Sequence, residues 1–322
     1  IGQENRGLEY MFVMMNAARY AVGLQGIAVA ERAYQKAVAY ARDRVQSRPV
    51  DGSMNAAATI IHHPDVKRML MTMRAQIEGC RAMALVAAAA QDAAHAHPEA
   101  AVRKQNQVFY EFLVPLVKGF STEMSIAVTS LGVQVHGGMG FIEETGAAQY
   151  YRDARILTIY EGTTAIQAND LIGRKTARDG GATARAICEQ IQGTEALLAA
   201  RGSDAARAMH KRLSAARRAL LDVVAFVAGG LAKGSQDSPN AVFAGSVPYL
   251  LLAGNVIAGW QMARALLVAE DQLAAGVEVD FMRAKITTAR FYGDHILSQV
   301  PGVRDSIVEG AAGVTEMALE AF

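Results

Sequence analysis

Glu161 is the residue of this chain best placed by type and surroundings to move a proton. It lies in ILTIYEGTTAIQ (residues 156–167), between an apolar segment ending in Tyr160 and the small turn Gly162-Thr163-Thr164, with no cation within five positions on either side. Two roles suit such an acid. Thr164 and Gln167 have the spacing of a capping box, which sets Glu161 just outside a helix N-terminus, where the dipole favours an anion. Alternatively it is a base on a turn, with Gly162 removing side-chain bulk so that a substrate can approach. In an apolar, cation-poor site a desolvated carboxylate holds its proton more tightly, and it can then accept one from a weak carbon acid. The residues by themselves leave both roles open.

QVHGGMGF (residues 134–141) is the other candidate. It follows a helical pattern and lacks the third glycine of a dinucleotide fingerprint, so it reads first as a helix stop. Its functional reading is that bare backbone N–H groups there approach an anionic or planar ligand closely. Of the seven histidines, only His62-His63-x-Asp65 and His95-x-His97-x-Glu99 cluster, and positions two apart diverge on a helix, so no metal site is expected. No G-x-S-x-G elbow is present and neither Cys80 nor Cys188 has a neighbouring histidine, so a serine or cysteine nucleophile lacks support. Two ordinary buried thiols in a reduced, cytoplasmic protein are expected instead.

With 32 basic against 31 acidic residues the net charge is +1, which gives no reason to expect nucleic acid or an anionic membrane as partner. The basic run HKRLSAARR (residues 210–218) spreads around a helix rather than forming one face. No apolar run is expected to approach the roughly 20 residues of a membrane span, and the opening residues do not read as a signal peptide.

The elements that must position Glu161 are helical throughout. Prolines number 7 in 322 residues, and no period-two segment is bounded by hairpin turns. The periodicity predicts helices over 8–43, from the HHPDVKRML segment to about 97, over 99–135 with a kink or split at Pro115, and from Gly162 to about 178. Residues 1–7 read as a frayed start and 44–58 as a polar loop. His63 is a plausible cap with Pro64 at the first helical position, Gly137-Gly138 ends the third stretch, and residues 138–161 read as irregular. ARDGGA (residues 177–182) reads as a linker. Beyond it come helices over 184–201, 203–232, 241–275, 278–298 and 303–321, with breaks at Gly202-Ser203, KGSQDSPN (residues 233–240), Gly276 and Pro301-Gly302. The expected fold is all-α: an up-down bundle over 1–178 and a second helical bundle over 183–322, whose first two helices form a hairpin.

The run QVHGGMGF…YRDARILTIYEGTTAIQ resembles the flavin-binding and catalytic segment of acyl-CoA dehydrogenases, with its Q-x-x-G-G-x-G-F, R-D-A and I-Y-E-G-T elements at fixed spacing. The likeness extends upstream through NAAR (residues 16–19) and ARDR (residues 41–44), and downstream into a helical domain similar to that of a long bacterial subgroup. The resemblance implies an FAD-dependent oxidoreductase that converts an acyl-CoA thioester to a trans-2-enoyl-CoA. Glu161 matches the base that removes the pro-R α-proton, and Gly162 lies against the thioester. Arg44, Gln134, Gly137, Gly138 and Thr163 match FAD-binding positions, the first four on the pyrophosphate and adenosine half shared between subunits. Asn16 and Arg19 match positions along the acyl-CoA channel, and Tyr160 belongs to the same substrate site. The flavin would polarise the thioester carbonyl, so no protein cation is needed beside Glu161. The resemblance also implies electron-transfer flavoprotein as electron acceptor and a homodimer or homotetramer.

Three departures stand out. The Phe-Gly that often follows the matching arginine is replaced by Val45-Gln46-Ser47-Arg48, and Ala165 and Pro64 stand where flavin-contacting glutamines are frequent. The family also carries an N-terminal helical domain and a middle β-domain, so these 322 residues are expected to be part of a longer protein and to lack flavin and activity by themselves. Alternative readings are an acyl-CoA oxidase with the same base, a flavoprotein relative that binds DNA through residues 184–322, and a helical oligomerisation module.

Overall fold

The computed structural model describes residues 2–235 and 238–322, and among these it is all-α, with one isolated antiparallel bridge between Val45 and Thr59. Helix α1 (Gly7–Asp43) buries Ala30, Ala33, Ala37 and Ala41, a stripe at spacings of three and four. It lies close to the segment that follows α3: a Cβ on Gly23 would stand 2.3 Å from the Val117 carbonyl oxygen, so only glycine permits that approach. After the loop, α2 (Pro64–Ala96) begins with Pro64 at its first position. His63 occupies the cap position, but its ring Nε2 donates to the Gln46 carbonyl at 2.7 Å instead of capping the helix.

The stretch expected to kink at Pro115 divides into α3 (Ala100–Pro115), a wide π-type turn (Leu116–Phe120) and α4 (Ser121–His136). Proline lacks the N–H of a regular turn and crowds the preceding carbonyl, which loosens the helix where Lys118 is carried. Gly137, at φ 60°, stops α4 as anticipated. Residues 138–161 are more regular than expected: α5 (Gly138–Phe141) is short, and α6 (Ala147–Leu157) takes in the charged YRDAR segment. Polar residues hide this helix in the sequence because only Ala147, Ala154 and Leu157 are buried, while Arg152 turns outward to a two-pronged pair with Glu143. Helix α7 (Thr164–Asp170) runs on through a second π segment (Leu171–Ala177).

Asp179 then folds the chain, its carboxylate accepting from the backbone N–H groups of Gly181 and Thr183. Helices α8 (Ala182–Arg201) and α9 (Asp204–Gly230) pack together across a two-residue connection, with the Ser203 hydroxyl accepting from the Ala206 N–H. Of the break expected at residues 233–240, residues 236 and 237 lie outside the described ones. The stretch expected over 241–275 is two helices, α10 (Pro239–Ala244) and α11 (Ser246–Ala274), parted at Gly245. Helix α12 (Val279–Phe291) continues through a π segment (Tyr292–Ile296). Pro301-Gly302 is not a break: it lies in the first turn of α13 (Val300–Val308), where proline is tolerated.

One continuous set of buried apolar residues runs through both helical sets. Helix α11 lies against α2, α7 and the Leu116–Phe120 turn, and Tyr249 on it meets the Thr176 hydroxyl at 2.9 Å. Contrary to the sequence reading, residues 100–136 and Ser246–Ala274 are long and apolar enough to cross a membrane, but both are mostly buried in this core. Cys80 and Cys188 are free and buried, and burial pushes each thiol up to about 12. In the basic run on α9, Arg212 and Arg217 face carboxylates of Asp294 and Glu195.

Candidate active site

Helix α6 ends at Leu157 and α7 begins at Thr164, so residues 158–163 form a tight turn, closed by the Thr164 N–H donating to the Thr158 carbonyl at 3.1 Å. Glu161 stands at its apex, solvent-exposed and at φ 55°. That left-handed conformation costs an ordinary residue roughly 1–2 kcal/mol, so the surrounding structure must hold it. Gly162 follows at φ 91°, and a Cβ there would stand 2.7 Å from the Gln167 Nε2.

Several groups hold the turn. The fully buried Lys118 donates from Nζ to the carbonyls of Leu157 at 2.9 Å and Gly162 at 2.6 Å. The Gln167 amide donates to the Glu161 and Gly162 carbonyls at 3.5 Å. Tyr160, half-buried, donates its hydroxyl to the Gln25 side chain on α1. The helix cap falls one residue earlier than the capping-box spacing indicates. Thr163 caps α7 by accepting from the Ile166 N–H at 3.4 Å, whereas Thr164 is buried and donates to Glu123.

The cation-poor surroundings expected around Glu161 hold only along the chain. In space, the charges of Lys118 and Arg19 both act on it. Burial lowers the Lys118 ammonium to about 8, with Arg19 pushing the same way and Glu123 and Glu161 opposing. Burial also lowers Arg19, against the attraction of Asp170. Arg19 is not an open channel wall: it is 5% exposed, donates to Asp170 at 3.3 Å and leaves Nε without a partner. Asn16 is half-buried one turn earlier and lines a polar cleft of about 210 Å³ with Asp170 and Arg174.

The glycine-rich residues meet elsewhere. Arg44, Gln134, Gly137 and Gly138 line one cavity of about 400 Å³, together with Tyr40 and His136. Tyr40 stacks on His136 with ring centroids 4.4 Å apart, and the His136 Nδ1 donates to the Gly132 carbonyl at 2.7 Å. Burial lowers the His136 pKa, so the imidazole stays neutral. A Cβ on Gly137 or Gly138 would meet nothing within 4 Å. Glu161 is on the wall of neither this cavity nor the polar cleft. Pro64 and Ala165 are exposed, each in the first turn of its helix.

Lys118, Asp170, Glu123 and Gln167 are the site residues that sequence reasoning missed. Lys118 had a signal: it is the only charge in FLVPLVKGF (residues 112–120), an apolar run where a lysine must find partners.

Residues 5–175 match the family described as acyl-CoA dehydrogenase, C-terminal domain, and residues 187–318 match the one described as acetyl-CoA dehydrogenase C-terminal like. The chain belongs to the acyl-CoA dehydrogenase family. It is 55% identical over 312 residues to 3-methylmercaptopropionyl-CoA dehydrogenase of Ruegeria pomeroyi, covering 96% of this chain and 52% of that protein. It is 35% identical over 316 residues to the broad-specificity linear acyl-CoA dehydrogenase FadE5 of Mycobacterium tuberculosis, covering 95% and 51%. The chain thus spans about half the length of the curated relatives it matches. In fold it is like the crystal structure of an acyl-CoA dehydrogenase complexed with FAD from Bacillus anthracis, with a TM-score of 0.72 at 18% identity over 100% of this chain and 53% of that one.

Proposed function

We propose that the chain carries the proton-abstracting side of an FAD-dependent acyl-CoA dehydrogenase, with Glu161 as the base. The observation that carries this reading is an exposed carboxylate held on a left-handed turn by buried donors, beside a glycine whose missing Cβ lets Gln167 close on the turn. Glu161 takes the α-proton of an acyl-CoA thioester, and the β-hydrogen leaves as hydride, giving a trans-2-enoyl-CoA. A base for so weak an acid must be fixed within hydrogen-bond reach of the proton, and the clamped turn meets that need. Asn16, Arg19, Tyr160 and Gly162 form the substrate side. Arg19 acts from the core, through its charge and its pairing with Asp170.

The residues fit the cofactor. Side-chain-free space over Gly137 and Gly138, an exposed guanidinium at Arg44 and the amide of Gln134 share one cavity. They suit the pyrophosphate and adenosine half of FAD, where arginine can offer two parallel hydrogen bonds. The hydroxyl of Thr163, already the α7 cap, has its hydrogen left for a further acceptor. Bound FAD supplies the acceptor for the hydride.

The activities for which the two relatives are named support an acyl-CoA substrate, and the closer identity to a methylmercaptopropionyl-CoA enzyme favours a short acyl group. Two helical domains (residues 1–178 and 183–322), electron-transfer flavoprotein as acceptor, a homodimer or homotetramer and a cytoplasmic location complete the proposal. The test is a panel of acyl-CoA thioesters on the full-length protein, with an electron-transfer dye and with oxygen in parallel. Dye reduction with little oxygen consumption is expected. Fast oxygen consumption assigns an oxidase, and no reduction with any thioester contradicts the reading.

A further inference from the structure

We infer that Lys118 is the positioning residue for Glu161: its buried ammonium clamps both sides of the 158–163 turn and sets a positive charge behind the carboxylate. The inference rests on the reading of Glu161 as base. Three observations carry it.

The first is the choice of acceptors. Lys118 is fully buried, yet its ammonium donates to the carbonyl oxygens of Leu157 and Gly162 rather than to a carboxylate. Those carbonyls belong to Leu157 and Gly162, which bracket Glu161, so one ammonium fixes where the turn leaves α6 and where it passes the acid. A buried lysine is expensive in stability, and an apolar side chain of similar volume is often the more stabilising occupant. A role in positioning and charge accounts for its presence.

The second is how the fold presents it. Pro115 opens the wide turn that carries Lys118. Beside it, a Cβ on Gly119 would stand 3.1 Å from the Gln167 Cβ on α7, so this segment lies hard against the helix that the Glu161 turn begins.

The third is the charge around it. Lys118 is faced by Arg19 from α1, Glu123 from α4 and Glu161 from the turn. Arg19 is offset by Asp170, which also pairs with Arg174. Glu123 is engaged by the Thr164 hydroxyl. Glu161 is the solvent-exposed carboxylate among the acids that act on Lys118. With its pKa about 8, Lys118 is mostly protonated at neutral pH and keeps that charge in place during turnover.

The experiment compares Lys118→Met, Lys118→Arg and Glu161→Gln in the full-length, FAD-loaded protein, reading kcat, KM and FAD content. Lys118→Met is expected to keep FAD and to change KM less than about threefold while kcat falls about 100-fold, the scale of a misplaced catalytic group. Lys118→Arg, which keeps the charge, is expected to restore part of kcat. A Lys118→Met variant with wild-type kcat overturns the inference, as does loss of fold in both lysine variants, which would assign Lys118 to folding alone. Glu161→Gln separates the two levels: if it turns over normally, the reading of Glu161 fails, whereas an inactive Glu161→Gln beside an unaltered Lys118→Met removes only the inference.

Discussion

The ammonium of Lys118 reaches the carbonyl oxygen of Gly162 at 2.6 Å across 44 positions of sequence. This contact joins the loosened helix after Pro115 to the turn that carries Glu161. It turns an isolated acid in the sequence into a carboxylate with a fixed backbone and cations behind it.

Gly162→Ala tests the turn by sterics. The new Cβ would stand 2.7 Å from the Gln167 Nε2, on a backbone at φ 91°. We expect a loss of about 1–2 kcal/mol in stability and a larger loss in kcat, because the Glu161 carbonyl is also held by Gln167. Thermal unfolding and steady-state kinetics read both, and an unchanged kcat contradicts the prediction.

Asp170→Asn tests the buried pair behind the site. Arg19 and Asp170 have side-chain exposures of 6% and 5%, so removing the anion leaves a guanidinium uncompensated in the core. A destabilisation of about 3–5 kcal/mol is expected, measurable by urea unfolding. A change under ~1 kcal/mol would show that the pair is dispensable.

Gly138→Ala separates binding from folding. Nothing lies within 4 Å of the added Cβ, so the fold should be unaffected. If the cavity holds the adenosine half of FAD, the methyl group intrudes on the ligand, and FAD affinity falls about tenfold, some 1.4 kcal/mol. Titration of the apoprotein by flavin fluorescence quenching reads the affinity. Equal affinity would move the cofactor away from this cavity.

The thiols give a readout independent of catalysis. With pKa values raised to about 12, Cys80 and Cys188 present almost no thiolate at pH 8. Alkylation followed by peptide mass spectrometry should leave both unmodified in the native protein and modify both in denaturant. Rapid native labelling at either would contradict their burial.

Much of the fold is legible in local periodicity. The ends of α1, α2 and α4 fall where apolar spacing, Pro64 and Gly137 put them. Legibility fails where one residue type serves two geometries: Pro301 starts α13 instead of breaking a helix, and the polar YRDAR segment is a helix because a few small or apolar residues suffice to dock it. In the candidate site, Glu161, Gly137 and Gly138 stand out in the sequence, but their local chemistry leaves a base or a capping acid, and a ligand contact or a helix stop, both open. The Lys118 clamp and the Arg19–Asp170 pair do not stand out, because they join residues 44 and 151 positions apart, and only tertiary packing brings them together.

The most direct test is Glu161→Gln in the full-length protein, with dehydrogenation of an acyl-CoA thioester followed by dye reduction. The amide keeps the size and the turn but cannot accept the α-proton, so FAD content and stability should stay at wild-type level while kcat falls at least ~100-fold, the scale of lost general-base catalysis. Turnover near the wild-type rate would show that another group removes the proton and would contradict the assignment of Glu161.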